Sequence, residues 1–209
     1  MEWFSTLTLA LGTAWTSGIN LYATVSVLGL LQKFSAIELP GGLEILDNWW
    51  IIAIAGGLYL IEFVADKVPY VDSVWDVVHT FIRVPAGAVM AFAATAETNS
   101  TVMIIATLLG GGLALSSHGT KAALRAGANL SPEPVSNWAL SIVEDIIAIV
   151  GTVLAVIAPF LIAIVLIIFT IFFLWFAPKV FRAIRRLING AKALFSGASM
   201  KEVANIESP

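Results

Sequence analysis

The chain has 209 residues, of which 59% are hydrophobic and 12% charged, with a formal net charge of −3 and a mean hydropathy of +0.93. Soluble domains sit near ~45–50% apolar and ~25% charged, and a soluble fold of this size has too little interior to hide so much apolar side chain. The same numbers exclude disorder. There is no cysteine, which removes disulfides, thiolate metal sites and cysteine nucleophiles, and the small negative charge gives no case for nucleic acid. An integral membrane protein is left.

A helical span needs about 20 mostly apolar residues. In chain order the candidates are Phe4–Leu31, Trp49–Ala65, Trp75–Ala96, Thr101–Leu124, Ser141–Ala158 and Phe160–Phe176. The third is the weakest by composition, because it carries Asp76, His79 and Arg83. The last two would run about 54 Å as one helix, too long for a ~30 Å hydrocarbon core, so a break at Ala158-Pro159 with a tight hairpin is expected. The N-terminus lacks a basic region before its apolar run, so it is not read as a cleavable signal peptide. Six spans with both termini inside place every Lys and Arg except Lys33 on the cytoplasmic side, as the positive-inside rule requires. Trp49 and Trp50 then mark the outer interface and Trp175 the inner one.

After the last span, Lys179–Ser196 sets Val180, Phe181, Ile184, Leu187, Ile188, Ala191, Leu194 and Phe195 at helical spacing, with the basic residues largely opposite. That pattern predicts an amphipathic helix on an anionic leaflet, or a plain positive-inside stop signal. Residues from Glu202 on look frayed.

The two halves are related by local matches. Thr16-Ser17-Gly18-Ile19-Asn20-Leu21-Tyr22 aligns with Ser117-His118-Gly119-Thr120-Lys121-Ala122-Ala123, and Ile51–Gly56 aligns with Ile146–Gly151 at nearly the same offset. Three spans per half would turn the second half upside down, giving an inverted repeat. In such transporters the substrate lies near the midplane, where matching helices are interrupted. Here the matched steps are Ser17-Gly18-Ile19-Asn20 and Ser116-Ser117-His118-Gly119. The plainer reading is close helix packing on small residues, which also accounts for Gly110-Gly111-Gly112 and Gly56-Gly57.

Ionisable groups in hydrocarbon cost about 2.5–3.5 kcal/mol each on insertion scales, so each needs a reason. Glu62 and Asp66 are one turn apart in the second span, and Asp72, Asp76, His79 and Arg83 form one stripe in the third. His118, Lys121 and Arg125 share a stripe in the fourth, and Glu144-Asp145 lie in the fifth. Acids of the first half can pair with bases of the second in a static lock. Alternatively Glu62, Asp66, Glu144 and Asp145 bind an ion or proton. Ser17, Gly18, Asn20, Ser117, His118, Gly119 and Thr120 would then line the substrate path, with Lys121, Arg125, Asp72, Asp76, His79 and Arg83 compensating charge. The histidines read as network members rather than metal ligands, and spacing alone names no metal. No H-E-x-x-H, G-x-S-x-G, Walker A or G-x-G-x-x-G motif occurs, so neither enzyme nor cofactor is expected.

Three blocks resemble a bacterial membrane family designated domain of unknown function 4126. They are Gly18–Tyr22; Glu62–Pro69 with Val71-Asp72 and Trp75–Arg83; and His118, Lys121, Ala122, Arg125, Asn129, Ser131, Pro134, Ser141 and Glu144-Asp145. Glu-Phe-Val-Ala-Asp-Lys is the most specific run. The resemblance implies a multi-pass inner-membrane protein and brings no substrate or catalytic residue.

The sequence therefore predicts an all-α integral membrane protein of about six transmembrane helices. It would comprise two inverted three-helix repeats (residues 1–97 and 98–178) and a basic amphipathic cytoplasmic tail (179–209). The leading function is a small transporter or channel for an ion or small polar solute, open to proton coupling, in a bacterial inner membrane. The partners are the lipid bilayer, that solute and a second copy in a homo-oligomer. Lipid binding or translocation is the first alternative, and a non-catalytic assembly subunit the second.

Overall fold

The computed structural model describes residues 2–34, 37–68, 71–129 and 134–195. Pro69 and Ser131 of the family-like blocks, and the tail from Ser196 through Lys201 and Glu202 onward, lie outside the described residues. The described residues form six α-helices: α1 (Glu2–Phe34), α2 (Trp49–Ala65), α3 (Val71–Ala94), α4 (Ser100–Ala128), α5 (Pro134–Ile157) and α6 (Pro159–Phe195), with a 3-10 turn at Gly41–Asp47 before α2. The predicted break falls where expected, at Ala158 between α5 and α6.

Among the described residues five helices are long and apolar enough to cross a membrane, and α2 is not one of them by itself. At 17 residues it qualifies only together with the preceding 3-10 turn, to which it is bent by 77°. The doubtful span is thus the second, not the third. The polar stripe of α3 does not weaken it as a span, because all of that stripe faces protein: Asp72, Asp76, His79 and Arg83 are buried, while Val74, Val77, Val78 and Phe81 are exposed. The pattern is inside-out, as hydrocarbon solvent requires.

Residues up to Ile167 form one compact unit. Its centre is α1, which packs against α2, α3, α4 and α5. It shows no amphipathic stripe because it is surrounded, with buried residues on every face from Thr8 to Gly29. Small residues allow the approach. A Cβ on Gly18 would lie 2.0 Å from Ser117 Oγ and 2.3 Å from the Ala114 carbonyl, and one on Gly110 would lie 2.5 Å from Ala91 Cβ. Packing does not explain Gly57 or Gly112, whose added Cβ would meet nothing within 4 Å, and it barely touches Gly56. On either side of the Ala158 break, Ala155 and Ile162 both reach Gly12 of α1.

Asn20 interrupts α1, with φ −147° and ψ 100°. An Asn side chain competes for backbone hydrogen bonds, and here it wins: Asn20 Oδ1 accepts from Ala23 N at 3.0 Å, capping the second half of the helix. The sequence led us to expect a matching interruption in α4. That helix instead runs unbroken through Ser116–Gly119.

The second unit begins at Ile168. Its described part is helical to Phe195, with Phe172 stacked on Phe176 and Lys179 Nζ lying 3.0 Å from the Trp175 ring centroid.

Candidate functional site

Four helices of the first unit bring their ionisable residues to one place. The α2 C-terminus supplies Glu62 and Asp66, α3 supplies Asp76 and Arg83, α4 supplies His118, Lys121 and Arg125, and α5 supplies Glu144 and Asp145. All are buried. The reason is simple: on each helix these are the few side chains that hydrocarbon cannot solvate, so each helix turns them inward.

Lys121 is the hub. Its Nζ donates to Glu62 Oε1 at 3.3 Å, Asp66 Oδ2 at 3.1 Å and the Ile19 carbonyl at 3.2 Å, using its three N–H groups. Asp76 Oδ1 and Glu144 Oε2 stand at 3.8 Å. Arg83 Nη2 donates to Glu62 Oε1 at 2.5 Å and its Nη1 to Asp76 Oδ1 at 3.4 Å. Arg125 Nη2 donates to Asp66 Oδ2 at 2.8 Å and also to Glu144 Oε2, which its Nε reaches at 2.9 Å. Asp145 Oδ1 accepts from Asn20 Nδ2 at 3.0 Å, which ties the α1 break to α5.

His118 closes the network on the α3 side. Arg83 Nη1 lies 3.1 Å from His118 Nδ1. A guanidinium can only donate, so Nδ1 accepts and the proton sits on Nε2. Nε2 then donates to Thr80 Oγ1 at 2.7 Å, while Thr80 donates to the Asp76 carbonyl at 2.9 Å. Thr80 was not singled out from the sequence; its place one position after His79 gave no signal.

Two features distinguish this cluster from a balanced lock. Glu62, Asp66, Asp76 and Glu144 pair with Arg83, Lys121 and Arg125, and the fifth acid, Asp145, has the Lys67 ammonium as its electrostatic neighbour, which leaves one negative charge uncompensated when all are ionised. Moreover, each of the five carboxylates spends one oxygen on the network and keeps a second, buried oxygen with no hydrogen-bond partner among the described residues: Glu62 Oε2, Asp66 Oδ1, Asp76 Oδ2, Glu144 Oε1 and Asp145 Oδ2. Buried polar atoms are normally satisfied, so five such oxygens in one cluster need an explanation.

The other expected residues fall elsewhere. Asp72 accepts from Asn129 Nδ2 at 3.1 and 3.2 Å, toward the end of the bundle. His79 bonds Tyr22 OH at 3.0 Å and stacks on Trp75 with centroids 4.5 Å apart. Ser17 donates to the Ala14 carbonyl and Ser117 to the Trp15 carbonyl, so Ser17, Gly18 and Ser117 form a packed seam between α1 and α4, while Thr120 donates within α4 to the Ser116 carbonyl. Gly119 faces outward from it. Among the described residues no group of three or more His, Cys, Asp and Glu is placed to hold a metal ion. The bases of α3 and α4 already stand between the carboxylates. The sequence also missed the Ile19 carbonyl, because a main-chain acceptor becomes a ligand only where the helix opens.

One topological expectation changes. Arg83, Lys121 and Arg125 entered the positive-inside count, yet they lie within the bundle, 0%, 3% and 2% exposed, bound to carboxylates. Residues buried in protein are not loop charges and carry no orientation signal. Lys67, just beyond α2, is different: it bonds the Phe63 carbonyl and Ser141 Oγ, and partial desolvation holds its ammonium below the usual lysine range.

The fold and cluster define a helical membrane protein with an ion network at its centre. A family model described as Domain of unknown function (DUF4126) matches residues 7–179, and the chain belongs to that family. No curated protein and no solved structure matches it.

Proposed function

We propose that the protein is a small, non-catalytic membrane transporter or channel for protons or small cations, with Glu62, Asp66, Asp76, Glu144 and Asp145 as the ion-handling groups. The observation that carries this reading is the acid surplus in a buried cluster, with one unpartnered oxygen on every carboxylate among the described residues. A static lock is most stable when charges balance and hydrogen bonds are complete, since unpaired charge in low dielectric is costly. A surplus of acids invites a proton or cation to join them. The break in α1 at Asn20 supports the same reading, because unwound backbone beside ionisable groups is tolerated in membranes where it serves a site. In this reading the halves 1–97 and 98–178 are inverted repeats, the protein sits in a bacterial inner membrane, and the exposed bases of α6 mark the cytoplasmic side.

The test is ion flux in reconstituted liposomes under an imposed membrane potential, with a pH-sensitive dye inside. Wild type should move protons or cations, and Glu62→Gln should lose that flux while remaining folded. Flux no greater than in empty liposomes, across several cations, would remove the transport reading.

A second reading concerns lipid. On α6, Lys179, Arg182 and Arg186 border a shallow cleft on one face, while Phe181, Ile184, Leu187 and Ile188 are exposed beside it. A basic arc next to an apolar arc suits anionic headgroups at an interface. Native mass spectrometry should then show phosphatidylglycerol retained over phosphatidylcholine, with the preference reduced in Arg182→Glu/Arg186→Glu. Equal retention of both lipids would count against it.

A further inference from the structure

We propose that α1 does not cross the membrane. It is a re-entrant helical hairpin: both arms open on one face, and the tip at Ile19-Asn20 seats against the ion cluster from that face. This placement of α1 goes beyond the ion-handling reading and does not rest on it.

The contacts of α1 along α5 reverse at Asn20. A Cβ on Gly12 would lie 2.9 Å from Ala155 Cβ, and one on Gly151 would lie 2.8 Å from Thr16 Cγ2. Asn20 then bonds Asp145, further toward the start of α5. After Asn20 the chain returns: Thr152 Oγ1 lies 3.1 Å from Thr16 Oγ1 and 3.4 Å from Thr24 Oγ1. A helix continuous through Asn20 would pass α5 in one direction only and could not come back to Thr152. The first arm, residues 2–19, therefore runs against α5. It runs with α4, where Ala14 lies by Gly110, Gly18 by Ala114 and the Ile19 carbonyl by Lys121. The second arm, residues 21–34, runs with α5 and against α2, where Ser26 lies by Gly56 and Gly29 by Ile52.

The open end agrees. One cleft of about 320 Å³ is lined by Glu2, Ser5 and Leu9 of the first arm, by Ile37 and Glu38 just past the second, and by Ala155 of α5. As one straight helix α1 would set Glu2 and Phe34 about 48 Å apart. The chain from Phe34 to Ile37 could recover only about 10 Å of that. Glu2 and Glu38 are exposed at the cleft, as side chains that hydrocarbon cannot solvate must be, so both arms start from water. Gly41 sits against Ala93 and Ala96, which places the open end on the face where α3 ends and α4 begins.

The tip stops short of the other face. Its α4 partner Lys121 lies about 10 Å before the end of α4, and its α5 partner Asp145 about 16 Å past the start of α5. Unwound backbone at such depth is tolerated where protein buries it, and Asn20 is 1% exposed. A spanning helix is held by polar ends at both interfaces. This hairpin has both ends at one, so its tip is tied to the cluster only by contacts such as Asn20 to Asp145 and the Ile19 carbonyl to Lys121. The inverted relation proposed for the halves is unaffected, since α2 and α5, which carry the matched runs, pass the second arm in opposite directions.

The chain has no cysteine, so single cysteines report their own side without background. A membrane-impermeant maleimide is applied to each face of vesicles holding the full chain. Glu97→Cys and Gly127→Cys flank α4 at exposed positions and define the two faces whatever α1 does. Glu2→Cys and Glu44→Cys should both label from the Glu97 side. Trp3→Cys, also exposed, repeats the N-terminal reading in case one variant is lost. If Glu2→Cys or Trp3→Cys labels from the Gly127 side, α1 crosses and the inference is overturned. Spin labels on Glu2→Cys/Glu38→Cys give a second readout. They should lie within about 25 Å of each other, and a separation near the ~48 Å of a straight α1 would overturn the inference as well. Neither readout involves flux. Same-face labelling in a protein that moves no ion keeps the hairpin and removes the transport reading; opposite-face labelling in one that moves ions does the reverse.

Discussion

The acid surplus makes an asymmetric prediction at the shortest charged contact of the cluster with both partners fully buried. Arg83 Nη2 and Glu62 Oε1 lie 2.5 Å apart, each side chain 0% exposed. Arg83→Met and Glu62→Gln break the same pair, yet they move the cluster in opposite directions. With Lys67 counted beside Asp145, loss of Arg83 leaves five carboxylates facing three cations, whereas loss of the Glu62 charge leaves four facing four. Removing one partner of a buried pair typically costs about 3–5 kcal/mol. The repulsion can be bounded from the geometry. Oxygens of Glu62, Asp66, Asp76 and Glu144 all lie within 3.8 Å of Lys121 Nζ. Any two of them are therefore no more than about 7.6 Å apart, and at an effective dielectric of ~20 each ionised pair repels by about 2 kcal/mol. Glu62→Gln relieves that repulsion and keeps an acceptor for Arg83, so its net cost should be about 1–2 kcal/mol. Arg83→Met should cost the full 3–5 kcal/mol or about that. Equilibrium unfolding in mixed micelles titrated with dodecyl sulfate measures both. If Glu62→Gln destabilises as much as Arg83→Met, the cluster is not short of positive charge and the reasoning fails.

Three further predictions follow from particular contacts. Gly18→Ala should cost about 2 kcal/mol or more, since the new Cβ would meet Ser117 Oγ at 2.0 Å and backbone at 2.3 Å, whereas Gly57→Ala, with open space, should be neutral or stabilising by up to about 1 kcal/mol; the difference in unfolding midpoint checks both. Asn20→Ala removes the cap on Ala23 and the bond to Asp145, and should cost about 2 kcal/mol or more by the same assay, while Asn20→Asp keeps the cap but adds a sixth acid and should be worse. Desolvation holds Lys67 below 10.5 in the folded state, so the unfolded chain binds the extra proton between the two values. Stability from this group therefore rises with pH through that alkaline window, and Lys67→Met should flatten the rise; an unchanged slope would show that Lys67 is not its source.

Much of the fold was legible because membranes enforce simple rules. The predicted second helix, Trp49–Ala65, matches α2 at both ends, and Pro159 stands at the first position of α6, where a ring without an N–H costs no helical bond. Span counting ranked the spans differently where hydropathy and length disagreed. Helix α2 is strongly apolar but short, and α3 is long but carries four ionisable residues. Hydropathy sees composition, not the face on which a side chain lies. The charged stripes were legible too, since Lys121 and Arg125 on α4 were natural partners for Glu62 and Asp66. The pairing itself was not, nor was the use of both to hold one carboxylate, Asp66 Oδ2. The hydroxyl steps at Ser17 and Ser117 read equally as a solute path or a packing seam, and only distances separate those.

The sequence by itself determined that this chain is helical, belongs in a lipid bilayer and must turn its few ionisable residues inward. Those results follow from the cost of exposing peptide groups and charges to hydrocarbon, which acts on every residue regardless of its neighbours in space. The tertiary structure alone decided that four acids pair with three bases in one cluster and that Asp145 joins it through Asn20. It also decided that α1 opens at Asn20 to lend a carbonyl to Lys121, and that three arginine and lysine residues are network members rather than topology signals. Each of these depends on which helices become neighbours and at what register. Electrostatic balance is a sum over such neighbours, and no single segment of sequence contains it.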